Sequence, residues 1–376
     1  MRICYLADGR YIHTRRWMSF FKKQGHEMHL ISFAPMEAEQ VRAVEEAGAT
    51  YHGQIGGFHL KRFWRTASDL LALRRTLRRE RIDVLHCHFL GANAWYGALS
   101  RFRPLVITVM GGDVCGPDWR PGDDVRERFL TPHALHRADL ITCWSNQLAA
   151  VVKPYARPGT PVEVIHGGVD LGRFSPGPKP QYLLERWNLP PRAKVVLSPR
   201  LMRPLYNLDR IALAAREVCA AEPDAHFLFA FLPEARDETY EARVREIAAA
   251  GRVHFIGAIP HEEMADHYRL ADVTVSIPRT DGTPMSVLES MACGTPVVVS
   301  RIPDYDPHYI EPDKTVLAAG TDDTGSLTEA LLRLLQEPRL AAGLSAEARR
   351  RVESTGSYEA QMARMGRLYE ELHEGK

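Results

Sequence analysis

Asp281 and Glu289 stand eight residues apart in DGTPMSVLESMACGTPVVVS, residues 281–300. The stretch reads as a loop, a short apolar helix, a stop at Gly294 and a strand. Gly282, Thr283 and Pro284 are turn residues, which let backbone approach a ligand closely. The helix opens near Met285 and Ser286, so amides through Val287 point back toward the loop. That is an anion site, suited to a diphosphate. Glu289 lies one turn inside the helix and cannot favour a phosphate by charge. Its two acceptor oxygens suit vicinal hydroxyls of a sugar or ribose, and Asp281 suits a second polyol. The competing reading is a capped helix, with Asp281 forming the turn and Glu289 exposed, since carboxylates favour early helical turns.

Other polar residues fall at the ends of apolar runs. Arg200 closes one in SPRLMRPLYNLDRI, residues 198–211, where a guanidinium suits phosphate oxygens. Arg203 is either a second phosphate contact or a solvated loop residue. His86 and His88 flank one intervening residue in IDVLHCHF, residues 82–89. His88 is either a satisfied core histidine or a group at the strand's carboxyl end. The pair lacks a third ligand at metal spacing. His13 follows the loop ADGRYIHTRRW, residues 7–17, as either a ligand contact or a surface residue.

The elements that position these groups alternate. Strands are expected at residues 2–6, 28–33, 84–88, 105–110, 140–144 and 162–165. After SPGPKP, residues 175–180, they recur at 195–198, 226–231, 253–256, 273–277, 296–300 and 316–318. Helical patterns separate them, among them 14–24, 37–47, 59–81, 207–221 and 285–293. Strand–helix alternation predicts parallel sheets covered on both faces. The fold class is therefore α/β, two tandem doubly wound Rossmann-like domains, with ligands at the strands' carboxyl ends. The cleft between two such domains is the expected site. Neither domain has G-x-G-x-x-G after its first strand, and no G-x-x-x-x-G-K-[ST] occurs, which weakens dehydrogenase and P-loop readings.

At 376 residues the chain suits two domains, and 45% apolar with 25% charged residues is a soluble composition. The net charge of +1 makes no case for nucleic acid, and none is expected as a partner. Residues 1–175 carry 24 basic against 17 acidic side chains, and the remainder 24 against 30. This asymmetry is either solvated surface or a basic first domain that meets anionic partners. Residues 59–83 carry Leu60, Phe63, Trp64, Leu70, Leu71 and Leu77 beside Arg and Lys, as an ordinary domain helix or an interfacial membrane one. Six cysteines without metal or disulfide spacing suit a reducing compartment. The expected location is cytoplasmic, with any membrane contact peripheral, at the inner face.

The segment 281–300 resembles the donor site of the retaining glycosyltransferases of family 4, which have the GT-B fold. That family shows Glu, seven residues, Glu, then a small-residue helix and G-x-P-V-V. Glu289 matches the second Glu, and Asp281 stands at the first. PVEVIHGGVDLGRFSP, residues 161–176, resembles the segment closing the family's first domain, with Gly167 where Asn is usual. VHFIGAIPHEEMADHYRLADVTV, residues 253–275, resembles the segment that presents backbone to the base, including Ile259. Arg200 matches the diphosphate-binding Arg of G-R-L-x-x-x-K-G. The Lys is missing, with Tyr206 and Asn207 in its neighbourhood and Arg203 able to supply the charge. His88 matches the histidine facing the sugar cleft. Gly9, with His13, Arg15 and Arg16, fills the place of the first glycine-rich loop. Gly111, Gly112 and Asp113, in GGDV, form another cleft loop on the acceptor side. SYEAQMARMGRLYEEL, residues 357–372, resembles the C-terminal helix that crosses back to the first domain.

The resemblance implies domains at 1–175 and 176–355, with 356–376 as that crossing helix. It implies transfer of a hexose from a nucleotide-sugar, UDP before GDP, to a hydroxyl acceptor with retention, for a glycan, glycolipid or lipid-linked saccharide. Glu289 is then assigned to the ribose, Asp281 to the transferred sugar, and Arg200 with the amides of residues 285–287 to the diphosphate. No metal or other cofactor is implied. The alternatives are a nucleotide-sugar epimerase or hydrolase of the same fold, and a non-catalytic sugar-nucleotide-binding partner subunit.

Overall fold

The strand Val84–His88, VLHCH, is buried along its whole length. Side chains alternate across it, so Leu85 and Cys87 enter one apolar core, while His86 and His88 turn to the other face among aromatic rings. Burial on both faces is what parallel pairing under helices requires.

The computed structural model describes residues 1–56, 63–111, 114, 121–122, 125–233, 236–249 and 252–375. The chain divides into two units, Met1–Gly167 with Ala360–Lys376, and Gly168–Glu359. The first holds β1 (Arg2–Leu6), β2 (Glu27–Ser32), β3 (Ala49–Gln54), β4 (Val84–His88), β5 (Leu105–Val109), β6 (Leu140–Cys143) and β7 (Val162–Val164). Their order is β3-β2-β1-β4-β5-β6-β7, with every pairing parallel. The second holds β8 (Lys194–Ser198), β9 (Ala225–Ala230), β10 (Val253–Gly257), β11 (Val273–Ser276), β12 (Val297–Ser300) and β13 (Leu317–Ala319), ordered β10-β9-β8-β11-β12-β13. Strand order reverses between β1 and β4 in one sheet and between β8 and β11 in the other. Crevices at such reversals, outside the carboxyl ends of the strands, are where doubly wound sheets bind ligands.

Helical spacing places the covering residues. The helix Ile12–Lys23 buries Thr14, Trp17, Met18 and Phe21, a single stripe, and ends in Lys22 and Lys23, which complement the helix carbonyl end. The expected helix over residues 59–81 is observed at Phe63–Arg79. Strand β3 is absent from the sequence expectation because ATYHGQ is half-polar, as suits an edge.

The unit boundary at Gly167 precedes the expected one at residue 175. Val169 and Phe174 are fully buried in the second unit's core, and this fastens the segment before the Pro-rich stretch to that unit. Arg269 extends the fastening by donating from Nε to the Ser175 carbonyl at 2.8 Å and from Nη2 to the Arg173 carbonyl at 2.9 Å. At the other end, residues from Ala360 group with the first unit, rather than from 356. Val169 pairs with Ser357 within the second unit, which holds residues 356–358 there.

Candidate functional site

In the second unit, Ser198 ends β8 and Arg200 follows it, while Ser276 ends β11 and Asp281 follows in the loop. These are the two strands at the reversal. The loop is held from several sides. Arg279 N donates to the Leu205 carbonyl at 2.9 Å, and Thr280 Oγ1 donates to buried Asp304 at 2.6 Å. Gly282 N donates to Asp281 Oδ1 at 2.9 Å.

Arg200 is the centre of this arrangement. Its Nη2 donates to Asp281 Oδ2 at 2.5 Å, and its Nη1 to Ser286 Oγ at 3.1 Å. Its guanidinium carbon lies 4.3 Å from the centre of the Tyr206 ring. The pair is shielded, with side-chain exposures of 10% for Arg200 and 20% for Asp281. Burial is the largest single influence and disfavours the cation, but the charge and hydrogen bond of Asp281 together with Tyr206 and Tyr305 hold the guanidinium pKa above its ordinary value. Among the described residues, the buried Nε of Arg200, with the hydroxyls of Ser198, Ser276 and Thr283, has no hydrogen-bond partner. Buried polar groups are nearly always paired. A group of unpaired ones at a strand-order reversal makes this a candidate ligand position.

The helix Met285–Ala292 begins after Pro284. The amides of Val287 and Leu288 both donate to the Pro284 carbonyl, at 3.0 and 3.2 Å. This takes Val287 out of the expected set of ligand-facing amides and leaves the turn's first residues, Met285 and Ser286, nearest the loop. Glu289 is buried, 9% exposed, contrary to the capped-helix reading. Tyr268, itself fully buried, donates to Glu289 Oε2 at 3.2 Å. Burial first, and then the Glu289 charge, push the Tyr268 pKa well up, so its hydroxyl stays a donor. Asn207 is buried in a left-handed conformation, φ 51°, and donates from Nδ2 to the Ile277 carbonyl at 3.0 Å. It pins the loop after β11. Arg203 is exposed. Ile259 is half-buried against the unit's core.

In the first unit, His88 ends β4 beside the loop after β1. Its Nδ1 is 3.4 Å from Thr14 Oγ1, and its Nε2 is buried without a partner among the described residues. Tyr5 and Trp17 pack on its ring at centroid distances of 4.6 and 5.3 Å. Burial, and then repulsion from His13, push its pKa down to about 3, so it is a neutral imidazole at neutral pH. His13 meets Trp144 edge-on at 4.9 Å. Gly9 is a packing requirement, since a Cβ there would lie 2.7 Å from Leu30 and Met36 side-chain atoms. Arg15 holds the loop by donating to the carbonyls of Gly9 and Arg10 at 3.0 and 2.8 Å. Arg16 is half-buried. Gly111 adopts φ 115°, a conformation open to glycine. Gly112 and Asp113 lie outside the described residues.

His86, by contrast, is saturated. Its Nδ1 meets the Tyr369 hydroxyl at 2.5 Å and its Nε2 meets Thr108 Oγ1 at 2.5 Å. Thr108 continues to Thr142 at 2.5 Å, and Tyr369 to the Tyr5 hydroxyl at 3.2 Å. This buried chain ties the C-terminal residues to β1, β4, β5 and β6. Of its members the sequence pointed only to His86. Tyr268, which orients Glu289, carried no signal beyond being an aromatic residue on an amphipathic segment, and Tyr206, which packs on Arg200, was marked only as lying near the missing Lys.

The model described as Glycosyltransferase Family 4 matches residues 10–173, and that described as Glycosyl transferases group 1 matches residues 183–351. D-inositol 3-phosphate glycosyltransferase of Thermobispora bispora is 31% identical over 78% of this chain and 72% of its own length. The chain belongs to the family 4 glycosyltransferases. A second protein of that name, D-inositol 3-phosphate glycosyltransferase 2 of Catenulispora acidiphila, is 30% identical over 69% of this chain and 64% of its own length. GDP-mannose-dependent alpha-(1-6)-phosphatidylinositol monomannoside mannosyltransferase of Mycolicibacterium smegmatis is 29% identical over 61% of this chain. The match spans 62% of that relative's length, so for this one and the Catenulispora protein it covers less than two thirds. Among solved structures, Anabaena HepE in complex with UDP and glucose superposes with a TM-score of 0.78 at 14% identity, covering 99% of this chain and all of that one. That likeness concerns the fold, which is GT-B.

Proposed function

We propose that this family 4 chain transfers a hexose from a nucleoside diphosphate sugar to a hydroxyl acceptor with retention of anomeric configuration. The observation that carries the reading is Arg200, locked between Asp281 and Ser286 at the opening of the Met285–Ala292 helix, with its buried Nε unpartnered among the described residues. A diphosphate would take Nε and the Met285 and Ser286 amides, and would draw the guanidinium away from Asp281. Asp281 is then released to accept from a hydroxyl of the transferred sugar. Glu289, oriented by Tyr268, accepts from the ribose hydroxyls. As the sugar–phosphate bond breaks, negative charge grows on the diphosphate, and preorganised donors stabilise it there more than in the ground state. The leaving phosphate takes the acceptor proton on the same face, so no separate protein base is required. In the first unit, His88 offers a neutral Nε2 to a sugar or acceptor hydroxyl. Arg200 and the amides carry the charge that a metal supplies in other transferases.

For the acceptor, the relatives' names support an inositol phosphate or a phosphatidylinositol-type lipid, and the excess of basic over acidic residues in 1–175 agrees with an anionic acceptor. The donor base is uracil in the first reading. Guanine is the second, supported by the GDP-mannose-dependent relative. The test is direct. UDP- and GDP-sugars are incubated with inositol phosphate, phosphatidylinositol or no acceptor, in EDTA, and released nucleotide and product anomer are measured. Acceptor-dependent release with a retained anomer, lost in Glu289→Ala, supports the reading. Release without acceptor would favour a hydrolase or epimerase. Nucleotide binding without turnover would favour a non-catalytic partner subunit.

A further inference from the structure

A second cluster of ligand-type side chains lies at the outer edge of the first sheet. His29 projects from β2, His52 from edge strand β3, and Glu80 follows the helix Phe63–Arg79. One ligand atom from each of the three lies within 4.8 Å of the others. We propose that His29, His52 and Glu80 form a binding site for a divalent transition-metal cation of the zinc class.

Two imidazoles and one carboxylate with a remaining open position form a recognised zinc ligand set. His29 Nδ1 and His52 Nε2 are 2.9 Å apart. Tetrahedral zinc at its usual bond length holds two nitrogens about 3.3 Å apart, so a small rotation of either ring admits the ion. The other nitrogen of His29, Nε2, lies 3.3 Å from Glu27 Oε1. His29 Nε2 makes no hydrogen bond among the described residues, so the exposed Glu27 side chain must turn to become the outer-shell carboxylate that metal-bound histidines usually have. The helix Phe63–Arg79 also points its carbonyl end toward Glu80, which favours a cation.

A guanidinium already bridges two of the three ligands. Arg79 Nε donates to Glu80 Oε1 at 2.7 Å, and Arg79 Nη2 lies 3.4 Å from His52 Nδ1. The Arg79 side chain is 68% exposed, so it can swing into solvent when a metal replaces it. Arg2, the other cation nearby, is held on Glu27 at 3.1 Å. Arg79 and the Glu80 carboxylate, 3.9 Å away, both face His52 Nδ1, so release of Arg79 frees Glu80 to turn toward an ion. The site would clamp an edge strand and a helix end, and it uses none of the residues assigned to transfer.

The experiment uses the untagged full chain, stripped with chelator, dialysed and titrated with zinc chloride by calorimetry. Expected is one equivalent bound, with a raised thermal midpoint that chelator reverses. His52→Gln and Glu80→Gln should each weaken zinc binding by at least about tenfold, the size that outer-shell changes alone reach. Arg79→Gln should leave it intact or tighten it. Glu80 is partly exposed, so its variant keeps the fold if His52→Gln does not. Absence of stoichiometric uptake by the wild type, or uptake unchanged in both ligand variants, would overturn the proposal.

Discussion

Asp281→Asn separates the two jobs assigned to Asp281. In the unliganded chain its carboxylate neutralises Arg200 at 2.5 Å, with 10% and 20% of the two side chains exposed. Removing one partner of a fully buried pair costs about 3–5 kcal/mol, because the other charge is stranded. The residual exposure and the retained Ser286 and Tyr206 contacts reduce that to about 2 kcal/mol. The substitution should therefore destabilise the free protein by about that amount. A diphosphate supplies the missing negative charge, so UDP or GDP should bind the variant more tightly, by up to about 30-fold, since 1.4 kcal/mol is tenfold. The corresponding nucleotide-sugar should gain much less, because it also loses the acceptor for its sugar hydroxyl. The assay is calorimetric titration of wild type and variant with nucleoside diphosphate and sugar nucleotide, with thermal unfolding in parallel. Equal or weaker diphosphate binding by the variant would refute the idea that phosphate and Asp281 compete for Arg200. An equal gain for both ligands would remove Asp281 from the sugar.

Two further outcomes concern the first unit. Tyr369→Phe strips the hydroxyl that meets His86 at 2.5 Å and Tyr5 at 3.2 Å. Leaving a buried group unsatisfied costs about 1–3 kcal/mol, so urea unfolding of the variant should show a loss in that range, with exposed Glu370→Gln as the neutral control. The second outcome is acid sensitivity. His86 and His88 both have folded-state pKa values below 6.5, chiefly from burial, His88 at about 3. The unfolded chain then binds more protons, so stability is complete above the unfolded pKa and falls as pH drops below about 6.5. Each such histidine adds about 1.4 kcal/mol per pH unit within its window. His88→Gln should reduce the slope of stability against pH between 4 and 5.5 by about one proton's worth, and an unchanged slope would place His88 outside the buried set.

The parallel sheets were legible because their inner strands are continuous apolar runs, such as LVITV at Leu105–Val109 and VVVS at Val297–Ser300. Edge strand β3 was not, because half-exposed ATYHGQ has neither a run nor clean alternation. Arg200, Asp281, Ser286 and Glu289 could be marked because charges and hydroxyls beside glycine and proline are conspicuous at the end of an apolar run. Their pairings could not. Arg200 and Asp281 are 81 residues apart, and nothing local says that the cation is already occupied by the carboxylate expected to hold sugar. The boundary near residue 167 was likewise invisible. Proline and glycine mark where regular structure stops, whereas Phe174 belongs to a unit because of what it packs against.

The two reversal points show one backbone device carrying a charged group in one unit and a neutral one in the other. After β8 and β11 the chain places a buried cation held by a single carboxylate, so an added anion relieves a shared charge rather than meeting an unscreened one. After β1 and β4 it places His88 among Tyr5, Trp17 and Thr14. Burial removes its charge and leaves Nε2 as a neutral hydrogen-bonding atom. Under the proposed function, a diphosphate leaving group suits the first environment and an uncharged sugar hydroxyl suits the second. A cationic residue at His88 would invert this by offering phosphate a competing position. His88→Lys should therefore raise KM for the nucleotide-sugar and slow turnover through misplaced donor, whereas His88→Asn, neutral and able to donate, should retain donor affinity and lose turnover alone. Equal KM values for the two variants in steady-state kinetics would show that the neutrality of His88 does not matter to donor placement.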